Sequence, residues 1–116
     1  MVMGDNPEVV VTTRPREREE TSTRLLPPYN VILENDDYHT FDFVVGVLQK
    51  VLGCSVERAF QFTYQAHTSG RAAIWTGTKE VAELKADQVK SFHEMHPLSG
   101  AKLGPLGCTI EPAPGG

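Results

Sequence analysis

Tyr29-Asn30-Val31-Ile32-Leu33-Glu34-Asn35-Asp36-Asp37-Tyr38-His39-Thr40-Phe41-Asp42-Phe43 is the stretch whose reading decides the fold. Its first half has β-branched and aromatic residues at Tyr29, Val31 and Ile32, which is strand composition. Asn35-Asp36-Asp37 breaks that strand, because Asn and Asp side chains bond back to nearby backbone and favour turns over ladders. Thr40 stands where an N-cap is wanted, so the chain restarts as a helix at Phe41. An amide and two carboxylates thereby sit at the mouth of a strand-to-helix loop whose ends are held by regular structure. The loop is negative, so the ligand group it suits is positive.

Working outward, Phe41, Val44, Val45, Leu48, Val51 and Leu52 repeat at helical spacing, and Gly53 ends that helix. Ser55 caps a second helix, with Glu57 in its first turn and Val56, Ala59, Phe60, Thr63, Ala66 and His67 forming one face up to Gly70. Arg71 to Thr76 reads as a second strand. Thr78 caps a third helix to about His93, with Val81, Ala82, Leu84, Val89 and Phe92 inward and Glu80, Glu83, Lys85, Asp87 and Lys90 on its wet side. A Gly- and Pro-rich loop follows, and Leu106, Cys108 and Ile110 alternate as in a half-buried last strand. The order β-α-α-β-α-β gives an α+β fold: a small three-stranded antiparallel sheet covered by three helices.

The totals bound the rest. A chain of 116 residues supports one domain. A net charge of −4 argues against sequence-independent nucleic-acid binding, which needs basic patches. No apolar run is long enough for a bilayer, and Met1 to Asn6 lacks a signal-peptide pattern, so a cytoplasmic protein is expected. Cys54 and Cys108 form no metal-type pair and are expected to be reduced and largely buried. Residues 1–27, with the mixed-charge run Arg14 to Glu20, read as a flexible extension; residues 28–111 form the core domain, and residues 112–116 a disordered end.

Four constellations could carry chemistry. Asn35, Asp36 and Asp37 with His67, at the end of the second helix, suit an ammonium group, since an amide oxygen, carboxylates and a neutral imidazole all accept hydrogen bonds. The alternative is a plain Asx loop beside a solvated His. His93 and His96 with Asp36 and Asp37 could be weighed as a metal site, but His93-Glu94-Met95-His96 lacks the i,i+4 His pair, and no metal or cofactor is expected. Acid–base catalysis by Asp36, Asp37 and His67 lacks a nucleophile elbow or phosphate loop, so no enzyme is expected. The polar face of the third helix, with Glu80 and Lys85, is either a partner surface or a solvated one.

Val31 to Tyr38, Phe43 to Lys50, Glu57-Arg58-Ala59, His67, Gly70, Glu80 to Glu83 and Pro105 to Glu111 together resemble the ClpS family of Clp protease adaptors, over about Pro28 to Glu111. The resemblance implies a fold like the C-terminal domain of a ribosomal stalk protein. It also implies that the chain binds proteins beginning with a bulky hydrophobic residue and passes them to a Clp AAA+ unfoldase. It assigns Asn35, Asp37 and His67 to the substrate α-amino group and Asp36 to the backbone beside it. Leu33, His39, Phe41, Val44, Thr63, Ala66 and Leu106 become the hydrophobic pocket, Glu80 and Lys85 the unfoldase-facing surface, and the tail a delivery element. A monomer is implied; the alternative is a stalk-like interaction domain with no such pocket. Several positions depart from the family's habit: His39 stands where Thr or Ser is usual, Phe41 and Thr63 where Met is usual, Ala66 where Val is usual, and Glu34 where an apolar residue is usual. Leu98 to Gly104 resembles an insertion.

Overall fold

The structure, a computed structural model, describes residues 26–114. The expected extension therefore lies almost wholly outside the described residues. Six elements follow in the order β1 (Tyr29–Glu34), α1 (Phe41–Leu52), α2 (Val56–Ser69), β2 (Arg71–Gly77), α3 (Lys79–Lys90) and β3 (Cys108–Pro112). The sheet order is β2-β1-β3, and both pairings are antiparallel. β1 is thus the central strand; Val31 and Leu33 enter the main core, while Ile32, also buried, lies outside it. A register shift between Val31 and Ile32 marks a bulge against β2.

Each helix starts at the cap the sequence offers. Thr40, Ser55 and Thr78 each accept from the backbone N–H three residues on. Gly53 and Gly70 take left-handed conformations at the ends of α1 and α2, where a Cβ would be strained. α1 buries Val44, Val45, Val47 and Leu48.

Two helix faces differ from the sequence reading. In α2 the buried stripe is Ala59, Phe62, Thr63 and Ala66, whereas Val56 and Phe60 are each 49% exposed. α2 carries two apolar stripes at compatible spacing, and periodicity alone could not choose between them; the sheet and α1 take the stripe containing Phe62. In α3 the buried residues are Ala82, Ala86 and Val89, while Val81 and Leu84 face outward. Small side chains let this helix approach the sheet closely, so the larger ones turn away. α3 also ends at Lys90 rather than near His93, because the Ser91 hydroxyl and N–H both turn back to the Gln88 carbonyl.

β3 begins at Cys108, opposite Leu33, rather than at Leu106. It runs through Pro112, and Ala113 N–H donates to the Pro28 carbonyl, so ordered pairing reaches past residue 111. Cys108 is buried, and burial pushes its thiol up to about 11; Cys54 is half-buried, and both cysteines are free.

Candidate functional site

The chain leaving β1 is pinned on both sides. Glu34 N–H donates to the Gly107 carbonyl at 2.9 Å, and Asn35 N–H donates to the Gly70 carbonyl at 3.0 Å. These bonds tie the end of β1 to the entry of β3 and to the end of α2. Between them opens a small cleft, about half open to solvent.

The walls of the cleft are apolar: Leu33 from β1, Phe41 and Val44 from α1, Thr63 and Ala66 from α2, and Leu106 from the segment before β3. Leu33 and Leu106 are each 2% exposed, so the floor is apolar and well packed. Thr63 does not make its wall polar, because its hydroxyl donates to the Ala59 carbonyl at 2.8 Å, within its own helix. Phe41 is held from outside: its ring meets the edge of His67 at 5.3 Å between centroids and tilts on Phe60 at 5.8 Å.

The rim is polar: Glu34, Asn35, Asp36, His39 and His67 line the mouth. Asp36 builds the turn. Its Oδ1 accepts from Tyr38 N–H at 2.9 Å and from His39 N–H at 3.0 Å. Both its oxygens lie 3.0 Å from His39 Nδ1. Burial acts to raise the Asp36 carboxyl, but the His39 hydrogen bond and the two backbone N–H groups outweigh it, leaving the pKa below its ordinary value. Thr40 N–H and hydroxyl both donate to the Glu94 carboxylate, at 3.0 and 2.8 Å, tying the loop after α3 to the start of α1.

The structure brings most of the residues expected of the site together and leaves some apart. Asp37 is exposed and is not part of the cleft lining. Glu80 is exposed on α3. Lys85, read as part of a wet face, bends back instead: its ammonium donates to the Val51 carbonyl at 3.3 Å and stands 5.6 Å from the Trp75 ring. His93 Nδ1 faces the Leu103 carbonyl at 2.8 Å, and His96 Nδ1 accepts from Leu98 and Ser99 N–H. Both imidazoles therefore shape the 93–104 loop.

Glu34 is the rim residue that the sequence reading left out. Strand alternation turns it away from the core, and nothing in the sequence placed it beside Gly107. A Cβ on Gly107 would lie 3.0 Å from Glu34 Oε1 and 3.2 Å from its Cβ, so the glycine makes room for this side chain at the mouth.

With this geometry in view, the comparisons with known proteins converge. Residues 24–109 match the family described as the ATP-dependent Clp protease adaptor protein ClpS. The chain belongs to the ClpS family. The ClpS adapter protein of Vibrio cholerae is 38% identical over 97 residues, covering 84% of this chain and 86% of that one. Its counterpart from Xanthomonas campestris is 41% identical, covering 82% and 86%. Among solved structures, Agrobacterium tumefaciens ClpS2 bound to L-phenylalaninamide matches with a TM-score of 0.61 and 32% identity, over 75% of this chain and 98% of that one. The ClpS match spans β1, all three helices and β2, and reaches into β3, so every residue of the cleft falls inside it.

Proposed function

We propose that this chain is a non-enzymatic adaptor that grips the free N-terminus of proteins beginning with a bulky hydrophobic residue and delivers them to a Clp AAA+ unfoldase and its protease. The observation that carries this reading is an apolar-walled cleft with Asn35 and His67 at its mouth. An α-amino group, with a pKa near ~8, is mostly cationic at neutral pH, and an internal residue presents only an amide there. A first residue can thus place its ammonium at Asn35 and His67, with the exposed Asp37 adding negative potential, while its side chain fills the cleft. Charge-assisted hydrogen bonds contribute roughly 1.5–3 kcal/mol each, and apolar burial about 25 cal/mol per Å². The ligand of the related ClpS2, L-phenylalaninamide, has this combination of a free amine, an aromatic side chain and an amide beyond.

The adaptor works as a monomer in the cytoplasm, without cofactor, nucleic acid or membrane. Glu80 and Lys85 face the unfoldase, and the segment before Pro27 is the element it engages during delivery. The deciding experiment compares a Leu-led peptide with its N-acetylated form, which keeps the side chain and loses the charge. The free peptide binds and the acetylated one does not; equal affinity would favour a stalk-like interaction domain instead.

A further inference from the structure

His39 is almost completely enclosed, its side chain 3% exposed, and both of its ring nitrogens face acceptors. Nδ1 stands 3.0 Å from each oxygen of Asp36, and Nε2 stands 2.8 Å from the Gly104 carbonyl oxygen. A carboxylate and a carbonyl can only accept, so both contacts are hydrogen bonds only when both nitrogens carry a proton. A neutral imidazole has one N–H and must set a lone pair against one of the two oxygens. The ring also stacks on Phe43, at 5.4 Å and 19°, an arrangement that favours a cationic ring.

The two acceptors belong to different parts of the cleft. Asp36 shapes the turn that carries Asn35, and Gly104 closes the loop that carries Leu106 to the cleft floor. We propose that His39 is a positioning residue: as an imidazolium it straps the 93–104 loop to the Asp36 turn and holds the cleft in its binding shape. Loss of one proton opens the strap at Gly104. The charged Asp36 keeps the remaining proton on Nδ1, so the neutral carbonyl is the partner released. Asp36 is in turn occupied by the strap, which leaves amine recognition to Asn35, Asp37 and His67. This step rests on the adaptor reading only for its effect on peptide binding.

Other groups surround the strap. Glu94 reaches Thr40, the residue after His39, and His93 holds the Leu103 carbonyl, next to Gly104. Glu34 and His67 stand across the cleft mouth. His67 can accept from a bound ammonium only through an unprotonated ring nitrogen. Thr40–Glu94 needs no proton change and keeps the loop near when the strap opens.

The test is nuclear magnetic resonance on the full chain without peptide, across the pH range in which histidine ordinarily titrates, about 5 to 8. At the acid end both His39 nitrogens show N–H character; on raising pH Nε2 loses it, and in the same step the protection factors of the Leu103 and His96 amides, which bond within this loop, fall several-fold. Below about pH 7, where the peptide's own amine stays charged, a Phe-led peptide then loses several-fold in affinity across that step in the unaltered chain, and this loss disappears in His39→Gln, which has no titrating ring. A His39 ring with a single N–H throughout, beside an unchanged protected loop, overturns the strap. So does the same loss of affinity with pH in His39→Gln. The ring and amide measurements need neither the variant nor the peptide, so a variant that fails to fold leaves the question decided. A chain that binds no peptide at any pH would sink the adaptor reading while the ring nitrogens still judge the strap.

Discussion

Asn35 N–H donates to the carbonyl of Gly70 at 3.0 Å, and through that bond the end of the central strand is fastened to the end of α2. Gly70 takes φ 91, so its carbonyl leaves the helix in a direction that an L side chain would strain. His67 lies one turn earlier on the same helix, which puts its imidazole at the cleft mouth with Asn35. Two residues far apart in sequence are thus set side by side by one backbone hydrogen bond and one glycine.

Removing either partner should weaken peptide binding without unfolding the chain, since both side chains are exposed. Asn35→Ala and His67→Ala should each reduce affinity for a Leu-led peptide by about 10- to 100-fold, the equivalent of one charge-assisted bond. Calorimetric titration checks this, with thermal melts confirming an unchanged fold. An N-acetylated peptide, which gives these side chains no charge to meet, should stay unbound by the parent and by both variants.

Much of this arrangement was legible in the sequence. The strand, the Asx turn and the cap at Thr40 are local signals, and each is where the residues put it. His67 was found at a helix end by spacing. What local rules could not give was which stripe of α2 turns inward: Phe60 and Phe62 both fit a helical period, and only packing against α1 and the sheet selects Phe62. Glu34 entered the rim through a contact with Gly107, far along the chain. Lys85 was charged and on the polar side of its helix, yet the free carbonyl of Val51 at the end of α1 draws it back. Tertiary partners decide such residues.

That recruitment adds a structural role to the unfoldase-facing one proposed for Lys85. Lys85→Ala should lower the melting temperature as well as delivery to the unfoldase, because it frees the Val51 carbonyl and uncovers Trp75. The stability loss should be about 1 kcal/mol. Glu80→Ala, at an exposed site, should leave stability within about 0.5 kcal/mol of the parent and affect only degradation by the Clp protease. Degradation assays beside melts separate the two; equal stability of both variants would mean that Lys85 is merely solvated.

Thr63 offers a sharper view of the cleft wall. Its hydroxyl is bonded to the Ala59 carbonyl, so the wall it presents is a methyl group. Thr63→Val should therefore keep peptide affinity within about twofold, since it replaces only the hydroxyl turned to Ala59 and leaves the methyl that faces the cleft. Thr63→Met should fill part of the cleft and weaken Trp- and Phe-led peptides most. A large loss in Thr63→Val would show that the hydroxyl faces the ligand after all.

Buried Cys108 sets a pH limit. Its thiol pKa is raised to about 11 in the folded chain, because burial disfavours the thiolate. The unfolded thiol, at its ordinary value of 9.0, loses its proton first. Its contribution to stability is therefore full below about 9 and is lost as pH rises toward 11. Denaturant midpoints measured from about pH 8 to 11 should fall in the native chain and fall less in Cys108→Val. Thiol labelling of Cys108 at about pH 8 should proceed only as fast as the chain opens.

Phe41, which lines the cleft, is expected to govern which side chains it admits. Its ring is pinned between His67 and Phe60, so it stands at the entrance as a rigid wall. Thr63 and Ala66 across from it are small, and they leave depth for a ring. A first-residue Phe or Tyr can meet Phe41 edge to face, a gain of roughly 0.5–1.5 kcal/mol beyond area, whereas Leu gains area alone. Phe-led peptides should thus bind more tightly than otherwise identical Leu-led ones, by about 2- to 10-fold. Phe41→Met should shrink that margin, since a flexible thioether can bend to either side chain. Fluorescence titrations with peptides differing only at residue one measure both. Leu binding more tightly than Phe in the parent chain would mean that the Phe41 ring already fills the space opposite Thr63 and Ala66.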